Sequence, residues 1–315
     1  MDASNIESFN AAAMEAVNAM PAPTWHRLRV NNEKIALPGG LEPSSDIEFE
    51  IDNIELGESA VFDSALSTFQ QKLDARNEGM VDTRAVVVAA AGNENPENLD
   101  IPALSSYQRK AVLEEIENSV SKAFETGMGT EAFAYLESVS DGHLVLVAPE
   151  KAVGSATVRI SAKDGMANAA CVDVVAAPHS NVSLTISFEG SSRGSGFAGC
   201  GLRVFAGVGA EVEVSSIQAL DGCWTVFDDS GYVLDDDAHV AVTHRVLGAD
   251  SASTGLSADL RGNQSRIDVV TRYLGAEKQK RDFNYSIKQR GCLTESNLDA
   301  NGVLAGESRM HLKGL

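Results

Sequence analysis

Positive charge is scarce in this chain. Lysine and arginine together number 25 against 45 aspartates and glutamates, a formal net charge of -20 at pH 7. Such a molecule repels phosphate backbones and anionic bilayers, so nucleic acid and membrane are not expected as partners. Cysteine is scarce as well. Cys171, Cys200, Cys223 and Cys292 form no Cys-x-x-Cys pair and have no histidine at zinc-ligand spacing, and four cysteines in 315 residues are too few for a disulfide framework. They are expected as reduced thiols. The opening Met1-Asp-Ala-Ser-Asn-Ile-Glu7 has neither a basic region nor a long apolar run, which predicts no secretory signal, no membrane span and a cytoplasmic location. Helical periodicity is missing from residue 141 onward, where short segments are separated by glycine, asparagine, aspartate and serine.

What fills that region is a repeat. Asn181-Val-Ser-Leu-Thr-Ile, Gly209-Ala-Glu-Val-Glu-Val, Asp237-Ala-His-Val-Ala-Val and Asn263-Gln-Ser-Arg-Ile-Asp-Val each start at a turn residue and run into alternating apolar positions. Taken as the pairs Leu184/Ile186, Val212/Val214, Val240/Val242 and Ile267/Val269, the steps are 28, 28 and 27 residues, and Val158/Ile160 lies 26 residues before the first. Alternation indicates strands, and recurrence at a near-constant period indicates one supersecondary unit stacked on copies of itself. Two strands of about five to seven residues with their turns use up such a period. The fold class expected is mainly β: a parallel β-helix, or solenoid, preceded by a mixed α/β N-terminal region.

That N-terminal region reads as a helix over 4–20, opened by the capping-box pattern Ser4-x-x-Glu7 and stopped by Pro21, then strands over Thr24–Asn31 and Asp46–Leu56 and a helix over Val61–Arg76. A buried strand at Arg84–Ala90, a long helix over Ser106–Glu125 and a short one around Thr130–Leu136 follow. The domain boundary is placed near residue 140, giving an α/β region over 1–140 and a β-helix core over 141–315 that is incomplete at its C-terminal end.

Candidate chemistry is sparse. Gly194-Ser-Gly-Phe-Ala-Gly199 matches G-x-G-x-x-G, but a strand rather than a helix follows, so the helix N-terminus that would hold a pyrophosphate is missing and a glycine-rich corner of the solenoid is expected. His239 and His244 are five apart on one strand and point to opposite faces. Asp235-Asp-Asp237, with Asp228-Asp229 nearby, lacks calcium-loop spacing and reads as a solvated turn. No catalytic or cofactor-binding residue stands out. Thiols in strands are usually core residues; Cys223 and Cys292, next to glycines at strand starts, are the two candidates for exposure and for metal or sulfur chemistry.

Arg281-Asp-Phe-Asn-Tyr-Ser-Ile-Lys-Gln-Arg-Gly291, continuing through Thr294-Glu-Ser, Asn301-Gly-Val-Leu304, Ser308-Arg309 and Lys313-Gly314, resembles the core of the SufB/SufD family of iron-sulfur cluster assembly proteins. Pro23-Thr-Trp-His-Arg-Leu-Arg-Val-Asn31 is similar to the opening segment of short SufD-like members, and Gly142–Val147 to the strand that starts their core. The resemblance implies a β-helix and a non-enzymatic scaffold subunit. Such a subunit pairs with a SufB-like protein and docks on a SufC-type ABC ATPase. It binds no cofactor stably, with at most a transient iron-sulfur cluster at a subunit interface. Family members continue past the last strand here into further rungs and a terminal helical region, so a fragment or a short form without ATPase docking is expected. The family's C-terminal interface residues have no counterparts to carry over. A solenoid stopped partway through a coil also predicts self-association through its C-terminal edge. The alternatives are a β-helix enzyme acting on polysaccharide, disfavoured by the missing signal and carboxylate ladder, and a structural interaction module without metal chemistry.

Overall fold

Alternation of side chains drives the architecture from residue 140 onward, and the computed structural model shows how. It describes residues 37–44, 47–77, 124–191 and 193–314. By its contacts the chain divides into two units, 1–37 and 38–315, and the architecture below lies in the second.

A narrow, seven-stranded sheet holds β2 (Ile47–Asp52), β5 (Val153–Ala162), β7 (Asn181–Gly190), β9 (Glu211–Gln218), β11 (His239–Val246), β13 (Arg266–Gly275) and β15 (Glu295–Leu304). A broad, nine-stranded sheet holds β1 (Glu42–Pro43), β3 (Glu55–Gly57), β4 (Ser140–Ala148), β6 (Met166–Ala176), β8 (Gly194–Ala206), β10 (Gly222–Leu234), β12 (Ser251–Leu260), β14 (Lys280–Gln289) and β16 (Arg309–Gly314). From β4 onward the chain alternates between the sheets, and each coil adds a parallel strand to both. This is the expected parallel β-solenoid. Its strands are longer than the period suggests, reaching 13 residues in β8 and β10, because the turns are only three to five residues long.

All eight residues of the four repeat pairs are buried in the narrow sheet. Val240 lies between Val212 and Ile267, and Val242 between Val214 and Val269. Two steps differ from the sequence reading: Val158 pairs with Ile186, so the β5-to-β7 step is 28 residues rather than 26. Leu184 pairs with Val214, and Val182 with Val212, so the β7-to-β9 step is 30 residues rather than 28. β7 carries four alternating inward residues, Val182, Leu184, Ile186 and Phe188, and alternation alone does not say which two align with Val212 and Val214.

Turns from the broad to the narrow sheet share one device. Lys151, His179, Gly209, Asp237, Gln264 and Leu293 all adopt left-handed φ between 56° and 61°. The amides of the first five donate to carbonyls of the next coil, Pro178, Val208, Asp236, Asn263 and Cys292, at 2.8–3.1 Å. Five of the six are not glycine, so a steric cost of about 1–2 kcal/mol each is offset by a hydrogen-bond ladder along the corner.

Two helices cover the outer face of the broad sheet among the described residues. α1 (Ser59–Asn77), which matches the expected helix, buries Phe62 and Phe69 in one cluster with Val175, Phe205 and Val233. α2 (Thr130–Val139) buries Leu136 and Val139 with Ala167, Ala169, Cys171, Phe197 and Phe227. At the N-terminal end β2 and β3 run antiparallel to β5 and β4. The single strand expected over Asp46–Leu56 is therefore two, because Asn53 turns the chain at φ 56° and sends its halves to different sheets. The elements expected at 4–20, 24–31 and 84–90 lie outside the described residues, as does most of the 106–125 helix. Its last two residues, Phe124 and Glu125, are described and are not helical. Among the described residues no helix is long and apolar enough to cross a membrane.

Candidate functional site

A polar belt interrupts the apolar interior. Ser216, His244 and Thr271 are consecutive ladder partners on the inner face of the narrow sheet, each preceded on that face by a valine, Val214, Val242 and Val269. Asp228, Tyr232, Thr254 and Tyr285 of the broad sheet are buried with them. Ser216 Oγ donates to Asp228 Oδ2 at 2.6 Å. Tyr285 OH lies 3.2 Å from His244 Nδ1 and 2.8 Å from Thr271 Oγ1, with the imidazole stacked on the phenol at 5.8 Å between centroids. Burial moves the titrations away from neutrality: it pushes His244 down and the Tyr232 and Tyr285 phenols up. Tyr232 OH is buried without a partner. Such a belt fixes one register, since sliding a strand would orphan several polar groups at once.

On the outer face of the broad sheet, Arg203 donates to both oxygens of the fully buried Asp173, at 2.7 and 2.6 Å. Its guanidinium lies 5.0 Å from the Phe62 ring of α1 and 5.2 Å from the Phe133 ring of α2, so one cation is tied to both helices and to β6. His143 Nε2 is 3.8 Å from Glu137 and 3.9 Å from Asp173.

Cys171 and Cys200 are buried, and burial raises both thiols, Cys171 to about 12, so they act as small core residues. Cys223 and Cys292 are exposed, as expected, but they are not brought together. Cys223 follows a narrow-to-broad turn at the start of β10, and Cys292 lies in the broad-to-narrow turn between β14 and β15, the opposite corner of the coil. Among the described residues no group of three or more histidines, cysteines, aspartates or glutamates is arranged to hold a metal ion. His239 is half-exposed beside Asp268 at 2.8 Å while His244 faces the interior.

Two expectations are corrected. Gly194–Gly199 is not a corner but the first half of β8. Its glycines make room for neighbours: a Cβ at Gly194 would meet the Trp224 ring at 2.5 Å and one at Gly199 would meet Leu136 Cδ2 at 2.4 Å. Asp228 and Asp229 do not belong to a solvated turn; they are buried in the middle of β10, facing the interior and the outer layer respectively.

The segment 281–291 works on both faces of β14. Arg281 is completely buried and donates to the carbonyls of Leu274, Ala249 and Lys280 and to Gln279 Oε1 at 2.7–3.0 Å. Burial lowers it to about 10, which leaves it charged at neutral pH. Phe283 and Tyr285 join it inside. Asn284 and Lys288 point outward and hold residues 127 and 125. At the C-terminal end, Leu298, Leu304 and Leu312 remain 41%, 42% and 43% exposed, although the register puts them on the rung below Val269, Gly275 and Phe283.

Residues 158–315 match the family model described as SUF system FeS cluster assembly, SufBD core domain. No curated protein matches the chain.

Proposed function

The chain belongs to the SufBD core family of the SUF system for iron-sulfur cluster assembly, and on that premise we propose that it is a SufD-like scaffold component rather than an enzyme. It acts with a SufB-like subunit and a SufC-type ATPase, and the cluster is cargo held transiently between subunits. The observation that carries this reading is the match of residues 158–315 to the SufBD core domain, which falls on the coils of a parallel β-solenoid. A scaffold of this kind needs only part of a ligand set on each partner, and Cys223 and Cys292 are the thiols this chain exposes.

The test is co-purification of the tagged chain with a SufB-like subunit and a SufC-type ATPase, followed by anaerobic reconstitution with iron and sulfide. A stable complex that takes up iron and sulfide is expected. No complex under any condition refutes the scaffold reading; a complex without iron uptake points to a purely structural module, and turnover of a glycan to a β-helix enzyme.

A further inference from the structure

Residues 124–129 cross the outer face of the broad sheet, backbone against backbone, over β10, β12 and β14, with a turn at 127–128 closed by Gly129 N donating to Thr126 O at 3.2 Å. The approach depends on glycine on both sides. A Cβ at Gly127 would lie 1.9 Å from Leu256 N; one at Gly231 would lie 2.4 Å from Glu125 O; one at Gly255 would lie 2.5 Å from Met128 N and 2.4 Å from Asp229 Oδ1. Four side-chain and backbone contacts seat the segment. Gly127 N donates to Ser230 O at 3.2 Å, Asn284 Nδ2 to Gly127 O, Met128 N to Asp229 Oδ1 at 2.7 Å, and Lys288 Nζ to Glu125 Oε2 at 2.6 Å. Asp229 is the anomaly among them. It is fully buried, and among the described residues no cation pairs with it and its Oδ2 has no hydrogen-bond partner.

We propose that residues 124–129 form a releasable strap whose hold on the broad sheet is set by the protonation state of Asp229. This goes beyond the scaffold reading and does not depend on it. The groups facing Asp229 are Thr126, Gly127 and Met128 of the strap, while Asp228 and the Cys200 thiol act on it from the interior side of the sheet. The Lys288–Glu125 pair sits at the far end of the strap on β14. Burial raises Asp229 to about 7, ahead of the lowering by the Thr126, Met128 and Gly127 hydrogen bonds, and Asp228 pushes in the same direction as burial. When the strap lifts, water reaches the carboxyl and its ordinary value near 3.8 returns. The proton therefore favours the seated state. Its contribution is complete below about 4, falls as pH rises, and is lost once pH passes about 7. Release would free the outer layer, because Phe124 packs on Phe62 of α1 at 5.5 Å and the strap leads directly into α2.

Amide hydrogen exchange of the full chain, corrected for the intrinsic rate at each pH, tests this. The protection factor of Met128 should fall about tenfold per pH unit between 4.5 and 7 and then level off, while amides of β11 show no such break. Asp229→Asn keeps the acceptor for Met128 N and removes the titration, so its Met128 protection should not change across that range. Gly255→Ala should leave Met128 poorly protected at every pH. A flat wild-type profile, or the same break in Asp229→Asn, overturns the proposal, and so does a β11 profile that follows Met128, since opening would then be global.

Discussion

Replacing Leu184 with alanine, alone and in pairs, tests the register on which the interior depends. Leu184 is almost completely buried, with Ala156 and Val214 as ladder neighbours. The change removes three carbons worth about 0.8 kcal/mol each. The rungs above and below are fixed by backbone ladders and cannot close fully over the gap, so a cavity term brings the expected loss to about 3–4 kcal/mol. Val214→Ala, which removes two carbons, should cost about 2 kcal/mol on the same basis. These two side chains touch, so their effects should fail to add by about 0.5 kcal/mol or more. Leu184 and Val212 are instead diagonal, two residues out of register, and should add to within about 0.3–0.5 kcal/mol. A constant 28-residue period predicts the reverse, because it would stack Leu184 on Val212. Urea unfolding followed by circular dichroism gives the five losses, three from the single variants and two from the pairs. Exchange protection of β7 and β9 amides should accompany it, because a stacked array can unfold rung by rung. Larger coupling in the Val212 pair than in the Val214 pair would refute the observed register.

Four further outcomes are expected. Burial holds His244 below its ordinary 6.5, so the unfolded chain takes up the proton first and stability, complete above about 6.5, is lost as pH falls below it; His244→Phe should flatten that acid slope in urea titrations, and an unchanged slope would count against the neutral imidazole. Arg203→Ala leaves the Asp173 carboxylate buried without its partner and should cost about 3 kcal/mol or more, whereas Arg203→Met with Asp173→Leu should recover most of that loss in thermal melts; a double variant no better than the single one would contradict it. Leu298→Lys with Leu312→Lys, at side chains 41% and 43% exposed, should cost less than about 1 kcal/mol in thermal melts; a loss near that of Leu184→Ala would contradict their exposure. Calorimetric titration with ATP and magnesium should show no saturable binding at Gly194–Gly199, and micromolar binding would contradict the strand reading of β8.

The narrow sheet is legible in the sequence because only one of its faces is buried. In the stretches Val-Ser-Leu-Thr-Ile of β7 and Val-Glu-Val-Ser of β9 each polar position points away from the interior, and the inward polar residues come only further along the strands. The broad sheet is buried on both faces, by the solenoid interior and by α1, α2 and the 124–129 segment, so nothing enforces alternation there. Gly194–Gly199 accordingly reads as a glycine-rich corner and Asp228–Asp229 as part of an acidic turn, although most of β8 and β10 is buried. Asp173, Asp228 and Asp229 were open to recognition by a different signal: each is an acid in the middle of an otherwise apolar or small-residue run, where only a buried partner or a raised carboxyl makes it tolerable. Their partners Arg203, Ser216 and Met128 are 30, 12 and 101 residues away. No local pattern contains that information. The opposite placement of Cys223 and Cys292 likewise depends on which turn belongs to which corner, and that follows only from counting coils.

The segment 281–291 has a physical reason to carry a resemblance. Its odd residues Arg281, Phe283 and Tyr285 face inward, and Asn284 and Lys288 face outward, so each choice is held by contacts on a different side. Arg281 must be an arginine in this setting. Its planar fork reaches four acceptors at once, none of them a carboxylate, and a lysine could satisfy neither that geometry nor the same number of acceptors. Tyr285 links His244 to Thr271 across the interior, while Asn284, one residue earlier, links β14 to Gly127 on the outside. A shift of one residue would turn both sets to the wrong face. β14 in turn sets the position of β16, because Lys280 to Tyr285 form the ladder for Arg309 to Gly314. The residues that lock the interior and the strap therefore also fix the register of β16.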